Sequence, residues 1–78
     1  MSDKEKYDNV FIDLFELKQE QLDTLEYQAI VNWDSVGHMS LIAGLEEAFN
    51  IMMETDDIID FSSYQKGKEI LLKYNIKI

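Results

Sequence analysis

The chain has no cysteine, which removes any disulfide framework and any thiolate metal site. Thiol chemistry here would need an imported thiol. Arginine is missing too: all seven basic residues are lysines, with Lys4, Lys6 and Lys18 near one end and Lys66, Lys68, Lys73 and Lys77 near the other. Between Lys18 and Lys66 ten carboxylates accumulate, from Glu20 to Asp60, and the net charge is −9. This distribution argues against nucleic acid as a partner, because phosphates must be neutralised by cations. A basic protein surface is the natural complement, with charge steering the encounter, although acids also serve simply to keep a small domain soluble.

Histidine occurs once, at His38, and without a second His or Cys it cannot complete a zinc site. Proline, internal repeats and low-complexity tracts are absent. No window approaches the roughly 18 continuous apolar residues of a membrane span. No basic segment followed by an apolar run opens the sequence, so a cytoplasmic chain without an export signal is expected. Hydrophobic residues make up 46% of the 78, enough for one core near the lower size limit. A single domain over residues 1–78 follows as the expectation.

What remains has helical periodicity. Ser2 and Glu5 fit a capping box, and Tyr7, Val10, Phe11, Leu14 and Phe15 follow at helical spacing, widened by Ile12 and Leu17, with Asp8, Asp13 and Glu16 opposite. From Lys18 to Asn32 the pattern weakens while Leu22, Leu25, Tyr27, Ile30 and Val31 stay apolar, which predicts a long ordered connection with one helical turn. Thr55 with Asp56 and Asp57 predicts a short helix to Asp60, capped by Thr55. Ser62 with Gln65 predicts the start of a last helix, running to about Tyr74 with Tyr64, Ile70 or Leu71, and Tyr74 inward. Gly67 within it reads as a local weakness of about 1 kcal/mol relative to alanine. Asp56, Asp57 and Asp60 lack the alternation, glycine and terminal glutamate of a calcium loop.

The organising stretch lies between these elements. Trp33, expected to pack on the domain, precedes Asp34-Ser35-Val36-Gly37-His38-Met39, and a helix of roughly 16 residues, about 24 Å long, begins at Ser35. Leu41, Ile42, Leu45, Ala48 and Phe49 form one face. Val36, Met39 and Ala43 form a second stripe, available either for core packing or for a partner. A serine at a helix start ordinarily caps backbone N–H groups. Ser35 and His38 lack the orienting group and oxyanion donors of a hydrolytic triad, and Trp33 occupies the first glycine position of a nucleophile elbow, so catalysis by a small serine hydrolase is not expected.

Asp34-Ser35-Val36, then Leu45-Glu46-Glu47 and Phe49-Asn50-Ile51, with an acidic linker and two further helices, resembles the acyl carrier protein family over nearly the whole chain. In that family an Asp-Ser-Leu segment precedes a Leu-Glu-Glu-x-Phe-Gly-Ile run. The resemblance implies an all-α bundle of four helices, the third short, with a long loop between the first two. It implies that Ser35 bears phosphopantetheine donated by coenzyme A through a magnesium-dependent phosphopantetheinyl transferase, with Asp34 aiding transferase recognition. The arm would carry an acyl or aminoacyl group as a thioester for fatty acid or specialised lipid biosynthesis, loaded by a ligase or transferase, on a monomeric, non-catalytic protein. Val36, Met39 and Ala43 would be the apolar contacts for partner enzymes, and Glu46 and Glu47 the acidic ones. Phe49, Ile58 or Phe61 would line an acyl cavity if one exists. Gly37, Ser40 and Asn50 depart from the fatty-acid pattern, and the run from Trp33 to Met39 looks more like freestanding carriers of specialised or cell-surface biosynthetic clusters. The rival reading is an acidic helical adaptor for a basic partner, without a prosthetic group.

Overall fold

Ser2 opens the first helix reciprocally with Glu5: the Ser2 hydroxyl accepts from the Glu5 backbone N–H at 3.1 Å, and the Glu5 carboxylate reaches back to the Ser2 backbone N–H. A computed structural model describes all 78 residues, placing helices α1 at Asp3–Phe15, α2 at Ser35–Phe49, α3 at Thr55–Asp60 and α4 at Tyr64–Leu72, with a single 3₁₀ turn at Gln19–Gln21. The fold is all-helical. A lone antiparallel bridge between Glu26 and Ser63 fastens the α1–α2 connection to the start of α4. Both α1 and α2 end on a left-handed residue, Glu16 at φ 55° and Asn50 at φ 54°. Asparagine tolerates that conformation better than most side chains, so Asn50 can do a glycine's work there.

The core is aromatic on one side and aliphatic on the other. Tyr7, Phe11 and Phe15 project from α1, and Leu41, Ile42 and Leu45 from α2, all buried. Phe15 stacks on Trp33 with centroids 5.6 Å apart, and Phe11 meets the same indole edge-on at 5.7 Å. The long connection is ordered as expected because Leu22, Leu25 and Trp33 are buried in it and its backbone is tied down, Tyr27 N–H donating to Ser62 O and Tyr64 N–H to Leu25 O, each at 2.9 Å.

Several local expectations are corrected. The α4 cap is Ser63, whose hydroxyl accepts from Lys66 N–H at 2.9 Å, because the carbonyl of Ser62 is already held by the Tyr27 bridge. Glu54, not Thr55, is the flanking residue of α3, and it offers no side-chain cap. Leu14 is exposed, whereas Asp8, assigned to the polar face, is only 3% exposed. Its carboxylate accepts from Lys4 at 2.6 Å, from Gln19 at 2.7 Å and from the Tyr64 hydroxyl. Asp57 is buried the same way, accepting from Lys73 and from the Tyr74 hydroxyl, each at 2.6 Å.

These two carboxylates couple the stability of the fold to pH. Burial pushes Asp8 up, but the hydrogen bonds from Lys4, Tyr64 and Gln19 outweigh it and hold the group below the usual carboxylate range. Lys73, with Tyr74, lowers Asp57 against a smaller opposing effect of burial. Groups lowered on folding add stability that is fully present above their unfolded value, near 3.9, and is lost as pH falls through the folded value. Melting temperature should therefore be nearly flat from pH 7 to about 5 and fall steeply below about 4. Circular-dichroism melts would check this, and the double variant Asp8→Asn, Asp57→Asn should start lower at pH 7 but show a shallower acid limb.

Candidate functional site

The chain reaches Ser35 through a closed loop. Gln28 N–H donates to Trp33 O at 2.9 Å and Trp33 N–H to Ile30 O at 3.2 Å, a turn made possible by a left-handed Gln28 at φ 66°. The turn swings Trp33 fully into the core and leaves Asp34 and Ser35 exposed just beyond it. Helix α2 then starts directly under this loop. A Cβ on Gly37 would stand 1.9 Å from the carbonyl oxygen of Asn32, so only glycine lets the first turn of α2 approach the loop backbone this closely.

Asp34 caps α2. Its carboxylate accepts from Gly37 N–H at 2.8 Å, and its carbonyl accepts from His38 N–H at 2.7 Å. The capping duty expected of Ser35 is thus taken by its neighbour. Ser35 is the first helical residue, exposed, with a side chain the helix end does not require. The backbone N–H groups of the first two helical residues, Ser35 and Val36, have no partner within the helix by its geometry.

His38 is a structural bridge. The Trp33 indole N–H donates to Nδ1 at 2.9 Å, and Nε2 lies 2.8 Å from the carbonyl of Ile58 in α3. An Nδ1 that accepts places the ring hydrogen on Nε2, which then donates to Ile58 O. With both nitrogens engaged, His38 is no base for Ser35. Its ring lies parallel to the indole, centroids 6.2 Å apart, and meets the edges of Tyr27 at 5.4 Å and Phe61 at 6.2 Å.

Beside these rings runs an open groove of about 360 Å³ between the start of α2 and the end of α3, lined by Ser35, Tyr27, His38, Met39, Ile58, Ile59, Phe61 and Ser62. Ile58 and Phe61, expected to line an internal acyl cavity, line this open groove instead. Phe49, at the far end of α2, does not line it.

No protein-family model matches this chain, and no curated protein and no solved structure is detectably similar to it. The site's chemistry rests on its own residues.

The second stripe of α2 faces outward: Val36 is 75% exposed, Met39 55%, and Ala43 is exposed as well. Packing in the core is therefore not their role. Glu47 is exposed on the same helix. Glu46 is different, half-buried with its carboxylate accepting from Met53 N–H at 2.9 Å, so it braces the α2–α3 connection. Two features of the site had no signal in the sequence strong enough to find them: the Trp33–His38–Ile58 bridge and the contribution of Tyr27, which sits in the loop without a motif around it.

Proposed function

We propose that this chain is a carrier protein whose Ser35 accepts phosphopantetheine from coenzyme A. The observation that supports this most is the division of labour at the start of α2, where Asp34 caps and Ser35 is left with an exposed hydroxyl at the edge of an apolar groove. Ser35 Oγ would form the new phosphoester bond, its proton passing to a base on the transferase and adenosine bisphosphate departing from coenzyme A. When attached, the arm supplies the thiol that the chain lacks, holding an acyl or aminoacyl group as a thioester.

The residues present suit such a group. A phosphodiester beside the unpartnered N–H groups of Ser35 and Val36 is favoured by the helix dipole, by roughly 0.3–1 kcal/mol at an exposed site. The Asp34 carboxylate, negative and close by, is partly offset because it is itself bonded to that helix end. Incubation with coenzyme A, magnesium and a promiscuous phosphopantetheinyl transferase should raise the intact mass by one arm. An unchanged mass would favour the acidic adaptor.

Val36, Met39, Ala43 and Glu47 then form the surface that a basic partner enzyme meets, with the exposed methionine and valine as apolar contacts and Glu47 as the charge. Glu47→Lys should slow transfer by about tenfold at low ionic strength, with the deficit shrinking as salt rises. Initial loading rates across a salt series, with circular dichroism to confirm the helices, would test it; a rate equal to wild type at low salt would remove Glu47 from the surface.

A further inference from the structure

The floor of the groove is sealed by a set of joined rings. His38 lies edge to edge with Trp33, nearly coplanar at 14° and joined to it by the 2.9 Å N–H···N bond, and Trp33 lies on Phe15 at an interplanar angle of 23°. The imidazole is fixed at both nitrogens, to the indole and to the carbonyl of Ile58, so it ties α2 to α3 in the groove that Ser35 also lines. Tyr27 and Phe61 close the sides of the imidazole with their edges. Beneath, Trp33 and Phe61 are fully buried and Phe11 fills the space between them, at 5.7 Å and 6.3 Å. The remaining depression, about 270 Å³ beside α3 and α4, is lined chiefly by charged side chains and does not include Ser35. Neither offers an enclosed apolar space.

Resting on the carrier reading, we propose that the cargo is a short, compact acyl group, and that His38 is the positioning residue that keeps long chains out. At about 360 Å³ the groove lies at the low end of small-molecule pockets, which span roughly 300–1,000 Å³. It opens at Ser35 itself, so the proximal arm is its natural occupant. A cargo at the far end of the arm then stays in water. A short group tolerates this; a long alkyl chain does not, because each exposed methylene is unfavourable and the core has no room to take it in. Admitting such a chain would require breaking the Trp33–His38–Ile58 bridge and parting the rings behind it.

The wild-type protein suffices for the test. Acetyl-, hexanoyl- and hexadecanoyl-coenzyme A would be used with the transferase to place the corresponding thioesters on Ser35. Two quantities would be followed: the rate of thioester cleavage by hydroxylamine, and the Trp33 indole N–H resonance. Cleavage should proceed at similar rates for all three cargoes, and the indole resonance should not move with chain length. Slowing by about tenfold or more for the hexadecanoyl form, equivalent to 1.4 kcal/mol of protection, would overturn the proposal, as would a displaced indole signal. If no thioester can be placed on Ser35, the carrier reading fails by itself. Free S-octanoyl pantetheine would then be titrated into the unmodified protein, where a moving indole signal would show that the bridge yields and a stationary one that it holds.

Discussion

Ser35→Ala should take up no phosphopantetheine at all, yet melt within about 0.5 kcal/mol of the wild-type chain. Both halves come from one feature. The cap of α2 is the Asp34 carboxylate, 2.8 Å from Gly37 N–H, so removing the neighbouring hydroxyl leaves the helix end intact. Ser35 is exposed, so no buried group loses a partner. Asp34→Ala is the contrasting variant: loss of the cap should cost about 1 kcal/mol, or roughly 4–8 °C in a domain of this size. Thermal melts and intact masses on the two variants would separate the roles of adjacent residues. If Ser35→Ala melted as low as Asp34→Ala, the serine would have a structural duty and the functional argument would lose its basis.

Gly67→Ala should destabilise the fold by about 2–3 kcal/mol, lowering the melting temperature by roughly 10–20 °C. Helix propensity alone gives the opposite sign, since alanine in a helix interior is favoured over glycine by about 1 kcal/mol. Packing decides. A Cβ at position 67 would stand 2.2 Å from the Tyr7 hydroxyl oxygen and 2.2 Å from the tip of the Phe61 ring. Neither neighbour can move easily: Tyr7 is fully buried and donates its hydroxyl hydrogen to Tyr64 O at 2.6 Å, while Phe61 is buried against Phe11. The glycine is the place where α4 comes down onto α1, and its missing side chain is what permits that approach. A melting temperature at or above wild type would show that the two rings yield.

The elements readable in advance were those that depend on neighbours in sequence. The Ser2–Glu5 capping box, the start of the central helix at Ser35, and the short helix from Thr55 to Asp60 all follow from local spacing, and they stand at those residues. The two stripes of α2 were separable by periodicity, but which of them is covered depends on what packs alongside. The unread features are long-range. Asp8 is drawn inward by Tyr64, 56 residues away, and Asp57 by Lys73 and Tyr74, so neither buried carboxylate could be told from a solvated one. Gly67 was misjudged for the same reason, its contacts being Tyr7 and Phe61 rather than its own helix. At Ser62 the competing bond came from Tyr27, across the whole of α2 and α3. His38 could be set aside as a metal ligand or triad base but not matched to its two partners, which approach from the preceding loop and from α3.

Fragmentation mass spectrometry of the chain isolated from the cells that make it is the most direct measurement of the central claim. The peptide containing Ser35 should carry one phosphopantetheine, with or without a short acyl group on its thiol, and no other serine should be modified. A serine at position 35 that is bare in every molecule, in cells where other carrier proteins are modified, would contradict the account.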